Sequence, residues 1–563
     1  MTIFAGVRAV RRQSLWIVLA AVICMLILLP IVALQQLAFS DAATGLRQLI
    51  AHGRAAKVFA NTIFLGIGAV IVALGSGGLL AFSVWALPRG ARRYTSFIPV
   101  LPLLIPSVAH VVAFVFLFSP ENGYVNTFLR SMPFLSHLQT GPFNIYTPTG
   151  IIVYTGLHLS SFVYLFIYTG LQNLGEDYLQ AARTNGAGPL RSFFSVTLPL
   201  LRPVLVYATL VVLLLSLGQF SGPLMLGRRE GLDVVTTEIY MLTREFPVNY
   251  PLGAAYAAPL LLAALLLVWA QHRTIGDRDR FVGRGNSASP PMPTSGLVQA
   301  LAVLAIALFV GLSAVLPILA LIFVALSPFW SGNLAFGNLT LRHVAFVLQN
   351  PVVLDSVFTT LRLSLVSIAV VLPLGMLVSM AIYYRALLWR PLSVLLDVVS
   401  SLPLAIPSAL IGFGFLFAYA ATPFGLYGSA LGLVIAFVTV KLPFSVRYQL
   451  ATLIALGPSY VEAARANGGG PVRTFVRIIL PLARTGVAAA GAVIFVLLVH
   501  EFGVALMLRS PTSNVMSVVL FDLYNTGGLY PRVAAMALLM TIITMVGVIA
   551  ALWAGGVKAF ERI

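Results

Sequence analysis

Residues 174–203 read LGEDYLQAARTNGAGPLRSFFSVTLPLLRP, and 282 positions later residues 456–485 read LGPSYVEAARANGGGPVRTFVRIILPLART. Aligned without a gap, 16 of the 30 positions match. The offset is close to half of the 563 residues, so the chain reads as one unit written twice. Each copy is a polar island, rich in Arg and Gly, between long apolar runs. The duplication and its setting decide the fold class.

Hydrophobic residues make up 60% of the chain, charged residues only 9%, and the mean hydropathy is +0.99. A soluble domain carries roughly a quarter charged residues, so most of this chain cannot face water. Apolar runs of about 20 residues, the length that crosses a bilayer core, recur along it. The sequence therefore predicts an all-α, polytopic membrane protein. A net charge of +18 does not call for a nucleic-acid partner here, because basic loops on the cytoplasmic side are ordinary for helical membrane proteins. The lone cysteine, Cys24, falls in the first apolar run and reads as a packed thiol. Arg8, Arg11 and Arg12 precede an apolar run too long for a signal-peptide core, which reads as a spanning anchor.

Spans are predicted near 15–39, 57–87, 95–119, 149–173, 201–222 and 252–272, and again near 298–327, 354–384, 391–420, 427–452, 484–508 and 531–556. About twelve transmembrane helices thus divide into two six-helix repeats. Six is even, so both repeats enter from one side and are parallel, related by an axis along the membrane normal. Residues 1–272 form the first membrane domain and 298–563 the second. Between them 273–297 mixes charge with Ser and Pro, a flexible linker composition on the cytoplasmic side. With the N-terminus cytoplasmic, that side receives 23 of the 34 Lys and Arg residues and the other side 11. The bias puts both termini and both islands in the cytoplasm.

A second echo supports the duplication: LPLLIPS at 101–107 and LPLAIPS at 402–408 match at six of seven positions. Their offset is 301, and the extra 19 residues belong to a long external loop of the first half. Two prolines four apart break the regular hydrogen-bond ladder. Pro106 and Pro407 therefore mark bends, either static kinks or irregular backbone beside a translocation path.

In the islands, Ala181, Ala182 and Gly186, and Ala463, Ala464 and Gly468, strip side-chain bulk from a short helix so that another backbone can approach. Gly186–Pro189 and Gly468–Pro471 then stop that helix and start the next. A small-residue helix presented twice on one face suits a partner with two-fold symmetry. These residues resemble the EAA loop of permease subunits of binding-protein-dependent ABC importers: Glu-Ala-Ala, three residues, Gly, and Leu-Pro further on. The second copy matches with Glu462-Ala463-Ala464 and Gly468, and the first departs at its leading position, where Gln180 replaces the acid.

The resemblance implies the MetI-like permease fold and a coupling helix seated in a cleft of a separate ATPase. It also implies two copies of that ATPase and a periplasmic or lipid-anchored substrate-binding protein in the bacterial inner membrane. If the acid pairs with an ATPase arginine, Gln180 offers only a neutral hydrogen bond. No phosphate-binding loop is present: Lys57, Lys441 and Lys558 follow Ala56, Val440 and Val557, not glycine. The chain is then a transport subunit rather than an enzyme, with no cofactor of its own. ATP and Mg would be bound by the partner.

Glu501, beside His500 in VHEFGVALML, is the boldest candidate for the path, and subtracting 282 gives Gln219 in LGQFSGPLML. Acids at membrane depth usually face a cavity or a partner. Such a pair would converge near the central axis; alternatively Glu501 is an interfacial acid or is paired with His500. Lys441 is expected to snorkel to the cytoplasm, Asp397 to be a buried, paired acid, and His110 and His158 to be core histidines rather than metal ligands.

Among permeases of the resembled family, this chain looks most like those for ferric iron, with thiamine and polyamine importers as close alternatives. A proton-coupled secondary transporter also fits twelve spans in two halves. It would not need the repeated islands.

Overall fold

Segments this apolar must satisfy every backbone N–H and C=O internally, and helices do so. The computed structural model describes residues 2–172, 174, 176–274, 295–334, 336–384, 388–420, 425–511 and 513–555. Among these it is helical throughout, without strands. The predicted linker lies outside the described residues except at its ends, as do Lys558 and five of the arginines counted above as cytoplasmic.

The first half contains α1 (Thr2–Ala51), α2 (Ala55–Ala86), α3 (Ser107–Phe118), α4 (Pro148–Gln172), α5 (Glu176–Thr184), α6 (Leu198–Leu217), α7 (Val235–Leu242) and α8 (Tyr250–Thr274). The second contains α9 (Gly296–Val310), α10 (Leu316–Leu326), α11 (Pro351–Tyr383), α12 (Arg390–Ala405), α13 (Ser408–Ala420), α14 (Ala430–Leu456), α15 (Ser459–Ala466), α16 (Leu480–Val499), α17 (Met516–Asn525) and α18 (Tyr530–Gly555). Ten stretches are long and apolar enough to cross a membrane, and two bent pairs raise the number to twelve. Local chemistry sets several starts. Asn350 accepts from the N–H groups of Val352 and Val353 ahead of Pro351, and Ser429 accepts from Gly432.

The bent pairs are the two LPxxIPS segments. Residues 89–104 turn by 90° into α3, and α12 turns by 107° into α13. Pro106 sits in its corner in polyproline-like backbone, where a missing N–H costs nothing, and Pro407 follows the extended Ile406 in the other. Both are buried.

Each half's first helix packs on both halves. α1 lies along α8, α12 and α13, and α9–α10 lies along α2, α3 and α18. A Cβ on Gly414 of α13 would sit 2.6 Å from the Pro30 carbonyl of α1, so only glycine admits that crossing. Helix pairs within a half are held by small residues and buried hydroxyls, the usual membrane substitute for hydrophobic drive. Ser76 of α2 meets Ser160 of α4 at 2.5 Å. Ser445 of α14 donates to Val371 and Ser379 of α11 to Val446, both at 2.9 Å.

The predicted span ends need one correction. The fifth and eleventh spans were placed at 201–222 and 484–508, but the helices end at Leu217 and Val499. After a break, the apolar residues beyond them form short separate buried helices, a π turn at Pro223–Gly227 and an α-helical turn at Gly503–Met507, rather than a continuation of the span.

Candidate functional site: two matching islands and a shared axis

The islands fold alike to the level of single hydrogen bonds. In both, the helix ends on a glycine with positive φ, Gly186 at 75° and Gly468 at 71°. The Ala187 N–H returns to the Ala182 carbonyl at 3.0 Å, and that of Gly469 to Ala464 at 2.8 Å, the 6→1 bond of a Schellman ending. Asn185 and Asn467 side chains cap the Ala181 and Ala463 carbonyls at 2.7 and 2.8 Å.

The next helix starts at Pro189 or Pro471 and passes through a wide π turn at Phe193–Thr197 or Phe475–Ile479. That turn directly precedes Pro199 or Pro481, whose ring would otherwise press on the carbonyl four residues earlier. The chain therefore runs on into α6 and α16 without a break. Gln180, Ala181, Gly186, Glu462, Ala463 and Gly468 are exposed, Ala182 is half-buried, and Ala464 is buried. The structure thus leaves a small-residue face open on each island.

At the other candidate site, the two halves meet on their pseudo-two-fold axis. Phe220 and Phe502, 282 positions apart, lie with ring centroids 5.4 Å apart. Gln219 and Glu501 are the residues just before them, in the breaks after α6 and α16. The Thr236 hydroxyl donates to the Gln219 carbonyl and that of Ser517 to the Glu501 carbonyl, both at 2.7 Å. Pro407, at the α12–α13 corner, would lie 3.0 Å from a Cβ on Gly218. The second half's bend therefore seats against the first half's Gly218–Gln219.

The side chains at this axis differ between halves. Glu501 forms a buried ion pair with Lys441 of α14 and also accepts from the Val504 N–H at 3.3 Å. Lys441 therefore does not snorkel. An ammonium and a carboxylate removed from water hold each other instead. Nor is His500 the partner of Glu501, since its Nε2 lies 3.2 Å from the Thr544 hydroxyl. The sequence reading missed the pair because Lys441 and Glu501 are 60 residues apart and the first half has no matching lysine: the equivalent position is Leu159.

Asp397 is paired, with Arg447 at 2.8 Å, but it is about a third exposed rather than buried, since it lies near a span edge. His110 donates from Nε2 to the Ser313 carbonyl at 2.9 Å, and its ring lies 5.3 Å from that of His158. No group of three or more His, Cys, Asp or Glu suited to a metal occurs among the described residues.

Two parallel helical repeats whose first helices bridge both halves, an island apiece and a shared axis define a membrane permease body. The family model "Binding-protein-dependent transport system inner membrane component" matches twice, over residues 69–274 and 372–557. The chain belongs to this family of ABC importer permeases, and it is a multi-pass inner-membrane protein. It is similar to the ferric transport system permease protein FbpB of Actinobacillus pleuropneumoniae, 24% identical over 85% of this chain and 68% of that one. The putative ferric transport system permease protein FbpB 1 of Haemophilus influenzae is 25% identical over 85% and 76%. The sn-glycerol-3-phosphate transport system permease protein UgpA of Escherichia coli is 27% identical over 39% of this chain and 72% of its own.

Proposed function

We propose that this permease carries ferric iron from an external binding protein into the cytoplasm, driven by two copies of a separate ATPase that bind ATP and Mg. The observation that carries the ATP-driven reading is the duplicated island. The same turn geometry and an open small-residue face recur in both halves, as a two-fold partner requires. In this reading Gln180-Ala181-Ala182 and Glu462-Ala463-Ala464, with Gly186 and Gly468, seat in the ATPase clefts, and both termini face the cytoplasm. The names of the two ferric relatives support iron as the cargo.

ATP binding draws the ATPases together, the islands follow, and the two halves rock about the axis to open outward. The path runs along that axis, past Gln219, Glu501, His500 and the corners at Pro106 and Pro407. For the acid to meet cargo, the rocking has to part Glu501 from Lys441. No covalent chemistry occurs in this polypeptide.

The test is uptake into proteoliposomes holding the permease, the ATPase and the binding protein, with Fe³⁺, thiamine and spermidine offered in turn. ATP-dependent uptake of iron alone is the expected result. Uptake of thiamine or spermidine instead replaces the cargo but leaves the importer. Uptake that persists with an inactivated ATPase and follows a proton gradient overturns the ATP-driven reading.

A further inference from the structure

Four buried rings close on the shared axis. Phe220 and Phe502 stand just past the ends of α6 and α16, and Tyr240 and Phe521 come from the short helices α7 and α17. Ring centroids lie 5.4 Å apart for Phe220–Phe502, 5.2 Å for Phe502–Phe521, 6.4 Å for Phe521–Tyr240 and 5.9 Å for Tyr240–Phe220. Each ring therefore packs on two others, and the circuit is complete. All four residues are between 2% and 6% exposed. Offsets of 282 and 281 relate Phe220 to Phe502 and Tyr240 to Phe521, so each half supplies one copy of the same pair.

The backbone holds each pair as a unit. The Thr236 and Ser517 hydroxyls tie the starts of α7 and α17 to the carbonyls just before Phe220 and Phe502. The N–H groups of Val235 and Met516 donate to the hydroxyls of Thr62 on α2 and Thr360 on α11, both at 2.9 Å. Each pair is thus anchored within its own half, whereas Phe220 meets Phe502 and Tyr240 meets Phe521 across the halves by ring contact. Rings at these separations attract one another with no directional bond between them to break. Such a seam can open and reclose as the two bodies move.

The seam has a side. α6 and α16 each carry the chain 20 residues away from the islands, about 30 Å at 1.5 Å per residue. The rings lie at that far end. Water begins directly beyond them: Asp522, next to Phe521, pairs with Arg509 at 3.0 Å, and both side chains are partly exposed.

We propose that Phe220, Tyr240, Phe502 and Phe521 form the outer seal of the translocation path, which parts between the halves when they rock. This rests on the path and the rocking of the proposed function. While the rings are together, their apolar surfaces keep water and hydrated solutes off the axis. An apolar constriction blocks ions by excluding water, without any charge of its own.

The test uses the full-length chain with Cys24, its one cysteine, changed to Ser and Gln219→Cys as reporter. Spheroplasts expose the outer face of the membrane to a sulfonated maleimide, which does not cross it. Labelling should be slow with the rings intact and at least tenfold faster in Phe502→Ala and in Phe521→Ala. Should one of these variants fail to reach the membrane, the other decides. Phe415, 1% exposed and 5.1 Å from Tyr419 of its own helix, is the control, and Phe415→Ala should stay within twofold. Fast labelling with the rings intact, no rise in the two variants, or an equal rise in Phe415→Ala overturns the seal.

A second measurement follows the same reporter with the ATPase inside and binding protein loaded with Fe³⁺ added outside. Labelling should rise at least threefold during ATP-driven uptake. No rise while uptake proceeds overturns the parting of the rings. Absence of ATP-driven uptake counts against the importer reading instead, and the Phe502→Ala comparison, which needs neither ATP nor cargo, still decides the seal.

Discussion

In the first half, the break after α6 carries Gln219, and the position on α4 equivalent to Lys441 is Leu159; in the second, the break after α16 carries Glu501, bonded to Lys441 of α14. The islands of the same two halves share the hydrogen bonds that end their helices. At the islands the backbone geometry is the same in both halves, which is what the proposed two-fold partner would need. Side-chain charge differs at the axis, where residues of the two halves pack on each other and need not be alike.

The strongest way to break this comparison is to remove one member of the ion pair. Glu501→Ala leaves the Lys441 ammonium buried and unpaired, and should destabilise the purified protein by about 3–5 kcal/mol. Gln219→Ala should cost at most about 1 kcal/mol. Thermal melting of both variants checks this, and equal losses would mean that the pair is not buried as seen. The double replacement Lys441→Met with Glu501→Gln should recover most of the stability, since a neutral pair leaves no bare charge.

A smaller and symmetric effect belongs to the islands. Gly186→Ala and Gly468→Ala each place a Cβ on left-handed backbone, at about 1–2 kcal/mol apiece. No neighbouring atom lies within 4 Å of either added Cβ, so the strain is purely conformational and should be the same in both halves. Limited proteolysis at 174–203 and 456–485 reads it out. A large difference between the halves would show that the shared turn geometry is not what holds the islands.

The smallest effect concerns the acid that only the second island has. Glu462→Ala should weaken co-purification of the ATPase more than Gln180→Ala, by roughly 0.5–1.5 kcal/mol, the margin of a charge-assisted over a neutral hydrogen bond. Equal loss would end the idea that coupling through the halves is unequal.

Much of this was legible in the sequence for simple reasons. Spans follow from apolar run lengths, and the bends follow from prolines four apart, because a missing N–H acts on its own chain. The island turns were readable because Gly-x-Gly-Pro dictates a local stop and start. What was misread is non-local. Lys441 looked like a residue near a span edge that could reach the headgroups; only the fold brings it to Glu501. The ends of the fifth and eleventh spans were overrun because the apolar residues from Phe220 and Phe502 onward read as more span, although Gly218, Gly222 and Pro223, and His500, Glu501 and Gly503, mark the breaks.

The amino-acid order alone determined an all-helical, duplicated membrane body and the two exposed islands, since hydropathy, proline and glycine act within a few residues. The tertiary structure alone decided which helix crosses to the other half, that Phe220 and Phe502 meet, that Glu501 is neutralised by Lys441, and that Tyr240 and Phe521 join those two rings. Each of these joins residues tens to hundreds of positions apart, and no local rule of chain chemistry carries information over that distance.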